Sequence, residues 1–140
     1  MSQKDAHSSK TLPENYLGYF KCFNHGDFFE AHDVLEELWL KDRQSANYSF
    51  YKGLIQLAGA FVHLQKNLED PKKFQQRLHP AAALFKLAQT NLKKYPPHHE
   101  HLDLAEVLNL IEGWLKKLEA NNFEVNPLAR EPAPILTLLP

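Results

Sequence analysis

The chain has 140 residues, 44% hydrophobic and 24% charged, which suits one globular domain with a single core. Its 16 basic and 17 acidic residues leave a formal net charge of −1, so it lacks the long-range field that draws proteins to phosphate backbones or anionic lipid, and neither nucleic acid nor a membrane is expected as a partner. The single cysteine, Cys22, cannot close an internal disulfide, and residues 1–10 are polar with no apolar signal core, so a cytoplasmic location is expected.

In chain order, the first ten residues read as a disordered segment, residues 11–120 as a helical bundle, and residues 121–140 as an extended tail. Thr11 and Glu14, with Pro13 between them, predict a capping box and a helix over about 13–23, with Tyr16, Leu17, Phe20 and Phe23 on its apolar stripe. Asn24-His25-Gly26 is long enough only for a tight reversal, and Asp27 with Glu30 predicts a second capped helix over about 27–41. These two helices should form an antiparallel hairpin. From Tyr48 to Asn67 apolar residues recur at helical spacing, with Gly53, Gly59 and Ala60 permitting close approach, which marks a central helix.

Asp70-Pro71 reads as the start of a fourth helix whose stripe from Phe74 to Tyr95 runs through Pro80, where a kink or break is expected. Pro96-Pro97 ends it, and Asp103 with Glu106 caps a fifth helix carrying Leu104, Val107, Leu108, Ile111, Leu115 and Leu118. No stretch shows the alternation of a strand. Prolines 127, 132, 134 and 140 make the tail extended, able to lay Ile135, Leu136, Leu138 and Leu139 on the bundle. The fold class is therefore all-α: a compact single-domain bundle of about five helices with a proline-rich tail.

Chemistry concentrates in the second helix. At about 100° per residue, Glu30, Asp33, Glu37 and Lys41 form a polar arc, while Phe28, Ala31, Leu35, Leu38 and Trp39 oppose it. His32 and Glu36 fall between the two arcs, one turn apart, where burial would cost several kcal/mol without a partner or ligand. On the third helix Lys52, Gln56, Gly59 and His63 form a narrow polar stripe that could face them. Three arrangements fit: a buried network of His32, Glu36, Gln56 and His63; a divalent metal held by His32, Glu36 and His63; or a ligand pocket walled by Phe28, Phe29 and Trp39. His32 and Glu36 could also serve a general-base or metal-dependent hydrolase. Other features read as ordinary: His98-His99-Glu100-His101 as a solvated loop, Trp114 as the edge of the core, and the lysine pairs 72-73, 93-94 and 116-117 as solvated charge.

The pattern Phe23-Asn-x-Gly26-x-Phe-Phe-Glu30-Ala-His32-Asp-x-Leu-Glu36-x-x-Trp39, followed by Gly53-Leu-Ile-Gln56-Leu-Ala and His63, resembles the domain-of-unknown-function 309 family over roughly residues 16–95. Asp33 stands where that family usually has Glu. The resemblance implies a helical bundle and singles out His32, Glu36, Trp39, Gln56 and His63, but no activity. The expectation is a binding or scaffolding module with a polar site between the second and third helices. Its alternatives are an enzyme using His32 and Glu36, and a dimerisation module that would make a homodimer of the chain.

Overall fold

The structure, a computed structural model, describes residues 11–140, so the expected disorder of residues 1–10 lies outside the described residues. Five α-helices are present among the described residues: α1 (Glu14–Asn24), α2 (Phe28–Lys41), α3 (Tyr48–Glu69), α4 (Leu78–Leu92) and α5 (Leu104–Ala120). The all-α bundle expected from periodicity is the observed fold. α3 is central, packed against α2 on one side and α4 on the other, with α1 against α2 and α5 against α4.

Helix starts differ from the expected pattern at three of four places. The caps of α1 and α2 are Pro13 and Asp27, neither with a side-chain capping bond, so Thr11 and Glu14 make no capping box. At α5 the expected cap forms: Asp103 Oδ1 accepts from the Glu106 backbone N–H at 3.1 Å. The fourth helix does not start at Asp70-Pro71. Turns and a 3₁₀ segment (Gln75–Arg77) precede it, and α4 begins at Leu78. Pro80 thus falls in the first turn, where its missing N–H costs no helical bond, so neither kink nor break is needed. The α1–α2 reversal is as expected, with Gly26 at φ 84°.

Aromatic rings built around Phe61 fill the core. Phe28 stacks on it at 5.1 Å between centroids, and Phe23, Phe85 and Trp114 meet it edge-on at 5.6, 5.3 and 5.0 Å. Trp114 is thus inside the core rather than at its edge. Burial pushes the Cys22 thiol pKa upward, with the carboxylates of Asp27 and Glu30 adding to the effect, which keeps it protonated and unreactive.

The expectation of no strand fails in one small place. His98–His99 pairs antiparallel with Leu102–Asp103, as β1 and β2, across a turn in which Glu100 and His101 both take positive φ. The histidine cluster is consequently structural. Tyr16 Oη donates to Glu100 O at 2.8 Å, and the His99 ring lies 4.7 Å from both Phe50 and Tyr95. Leu138 of the tail bridges to Leu102. Leu136 is buried, and the Asn24 side chain clamps it by donating to its carbonyl and accepting from its N–H, both at 2.8 Å. Ile135 and Leu139 stay exposed, so only alternate residues of the tail meet the bundle.

Candidate functional site

α2 buries Phe28, Ala31 and Leu35 and turns its other side outward. Phe28, expected as a pocket wall, is therefore a core residue. Phe29 begins the outer face: the residue is 59% exposed, and its ring lies parallel to the His32 imidazole, 6° between planes and 6.4 Å between centroids. His32 is half-buried and its Nδ1 is 3.2 Å from Asp33 Oδ1. In the tautomer that makes this bond Nδ1–H donates, which leaves Nε2 as a free lone pair. Ligand atoms of His32, Asp33 and Glu36 lie within 4.8 Å of one another. Asp33, read from sequence as solvated charge, joins this cluster because a helix brings residues 32, 33 and 36 to one flank.

The expected set of four is divided by the helix packing. The α3 stripe containing Gln56 and His63 runs along α4. Gln56 Oε1 accepts from Asn91 Nδ2 at 2.8 Å, and Asn91 also takes a bond from Lys94 Nζ at 3.3 Å. His63 Nδ1 lies 3.0 Å from Arg77 Nη1 and is no member of the His32 cluster. Burial, and then Arg77, lowers the His63 pKa below its ordinary value. The reason for the division is steric. A Cβ on Gly53 would lie 2.8 Å from Leu92 Cδ2 and one on Gly59 3.1 Å from Leu84 Cδ1, so the small residues of α3 mark the α4 interface.

What α3 presents to the start of α2 is instead Val62, Gln65, Lys66 and Glu69, which with Phe29 line a groove of about 310 Å³. Gln65 Nε2 donates to Gly26 O at 2.9 Å and holds the groove's end. Trp39 rests on Tyr48, 5.1 Å between rings, and its shielded indole N–H has no hydrogen-bond partner among the described residues. The polar residues sequence reasoning missed are Asn67, Asn91 and Asn126, all buried. Asn91 was detectable, since it interrupts the stripe Ala88, Leu92, Tyr95 with an amide. Asn126 is marked locally only as the cap of the 3₁₀ turn at Pro127–Ala129, where its Oδ1 accepts from the Leu128 N–H at 2.9 Å; its long-range role, Nδ2 donating to Leu64 O at 2.7 Å and Asn67 Oδ1 at 3.0 Å, has no local signal.

Residues 16–72 match the family model described as Domain of unknown function (DUF309). The expected resemblance is therefore shown over α1 to α3. The DUF309 match stops at residue 72, short of residue 95, so α4, α5 and the tail lie outside it. Among curated proteins, the uncharacterized protein YpuF of Bacillus subtilis (strain 168) is 38% identical over 52 residues, which is 36% of this chain and 30% of that protein. The chain thus aligns with about a third of that relative's length. No solved structure matches it. Within the matched stretch lie the α2 cluster, Gln56 and His63, whereas Asn91, the partner of Gln56, and Arg77, the partner of His63, lie beyond it.

Proposed function

We propose that the chain is a helical binding module that takes a protein partner on the outer face of α2, with Phe29 as the apolar anchor and His32, Asp33 and Glu36 as the polar surround. The observation that carries this reading is the exposed Phe29 beside a groove and three convergent polar side chains. A large aromatic left in water next to carboxylates matches an interface hot spot, where an apolar contact is ringed by charges that select the partner. The carboxylates favour a partner with basic side chains around an apolar one. Cytoplasmic action belongs to the same reading, supported by the free Cys22; no helix of the described residues is long and apolar enough to cross a membrane.

A photo-crosslinking residue in place of Phe29 tests this in cells. A discrete adduct that disappears with Glu36→Lys, and is missing when the same probe replaces exposed Leu87 on α4, is the expected result. Equal labelling at both positions, or none at Phe29, overturns it.

A second reading is favoured by the 4.8 Å convergence: one imidazole and two carboxylates could hold a divalent cation with positions left for water, the arrangement a hydrolase would use. Elemental analysis of untagged protein decides it. Stoichiometric metal, lost in His32→Ala and in Glu36→Ala, supports this reading; trace metal in the parent eliminates it. A homodimer through the tail has less support, because the tail's Leu136 is already covered by its own bundle.

A further inference from the structure

Between the end of α3 and the start of α4 lies an open cleft of about 880 Å³, reached by only one of the expected site residues, His63. Its lining contains Lys72, Lys73, Arg77 and two histidines, His63 and His79, and not one of its nine lining residues is acidic. The neighbouring acids Glu69 and Asp70 are exposed and outside the lining, and Asp70 Oδ1 accepts from the Lys73 backbone N–H. Three cations crowd a single ring: Lys66 Nζ, Lys73 Nζ and the Arg77 guanidinium carbon stand 5.6, 5.3 and 5.0 Å from the Phe74 centroid. The ring's π system offsets part of their mutual repulsion; Lys73 and Arg77 line this cleft, whereas Lys66 lines the neighbouring groove beside Phe29.

The start of α4 adds to this field. Its N-cap is Arg77, no side chain caps it, and its first turn holds no acidic residue. The helix dipole adds positive potential, but few free donors: the 3₁₀ turn runs straight into Leu78, the Arg77 backbone N–H is bonded to Phe74 O at 3.1 Å, and Pro80 has no N–H. Arg77 already donates toward His63 Nδ1, which fixes its guanidinium beside the cleft. In a chain of net charge −1, this is a local concentration of positive charge rather than an extended basic surface.

We propose that this cleft binds a phosphorylated small molecule, its phosphate held by Lys72, Lys73 and Arg77. A phosphate group carries the multiple charge and acceptor oxygens that the three cations lining this cleft, Lys72, Lys73 and Arg77, can satisfy together, more than one carboxylate would use. The volume falls in the range of small-molecule sites. The confinement of the charge to one cleft disfavours a nucleic-acid backbone, which needs a track of contacts.

Titration of the full chain with inorganic pyrophosphate, followed by calorimetry and by the NMR shifts of backbone amides, tests the proposal. Saturable binding with amide shifts at residues 72–79 is expected. Lys73→Gln, an exposed position whose loss leaves the core intact, should weaken it about tenfold, the value of one charge-assisted contact. Arg77→Gln should weaken it at least as much, whereas Lys86→Gln on the exposed side of α4 should not. The proposal is overturned if pyrophosphate does not saturate, if Lys73→Gln and Lys86→Gln behave alike, or if a single-stranded oligonucleotide binds the same residues more tightly than pyrophosphate.

Discussion

His63 faces the guanidinium of Arg77, and burial, followed by that positive neighbour, depresses its pKa below the ordinary 6.5. The unfolded chain therefore takes up a proton on this side chain at a pH where the folded chain does not. Stability rises with pH wherever the unfolded state binds more protons, so His63 costs nothing above its ordinary pKa and subtracts stability as pH falls below it. Urea unfolding of the parent should lose stability between pH 7.5 and 5.5 faster than His63→Gln does; parallel slopes would mean that the Arg77 contact is not kept in solution. His32 differs in kind. The sequence places it between two arcs of α2 and suggests burial, but its side chain is 31% exposed and satisfied by the adjacent Asp33. Helical angle alone distinguishes inner from outer faces well and flanks poorly, because a flank's exposure depends on the diameter of the neighbouring helix.

The glycines show how a helix's partner decides what a residue is worth. On α3 a methyl group at Gly53 would meet Leu92 Cδ2 at 2.8 Å and Asn91 Cβ at 3.3 Å, both on the buried side of α4. On α5 the same group at Gly113 would meet nothing within 4 Å. Gly53→Ala should therefore destabilise by about 1–3 kcal/mol through overpacking, while Gly113→Ala should stabilise by about 0.5–1 kcal/mol through helix propensity. Denaturant melts of the two variants check both signs. Legibility follows the same division. Apolar periodicity located all five helices, since each buries one face. It could not say which neighbour the α3 polar stripe meets, because facing requires the third dimension; the small residues Gly53 and Gly59, read only as permitting approach, were the better pointer. The start of α4 at Leu78 differs from the expected one for a related reason. Asp70-Pro71 and Pro80 both satisfy the rules for a helix start, and what separates them is the 3₁₀ turn carrying Phe74 toward its three cations instead of into the core.

At the scale of the molecule, the tail is part of the fold. Leu136 is 4% exposed, Asn24 clamps its backbone, and Asn126 satisfies Leu64 and Asn67 on α3. Leu136→Ala should lower the unfolding free energy by about 2–5 kcal/mol, measured by chemical denaturation, with sedimentation showing whether any association survives. A loss within a few tenths of a kcal/mol would mean that the tail is detached in solution. From sequence the tail's leucines were readable as a covering, yet their anchor was not, because Asn24 is an unremarkable turn residue until something extended lies beside it. That anchor also has a bearing on synthesis. A ribosome delivers Asn24 early and Leu136 much later, so the first hairpin waits through the making of three further helices before its polar side chain finds its mate. Until then the bundle in a nascent chain is missing a wall, and a transcript truncated before codon 136 would release a chain with that face open to chaperones and proteases.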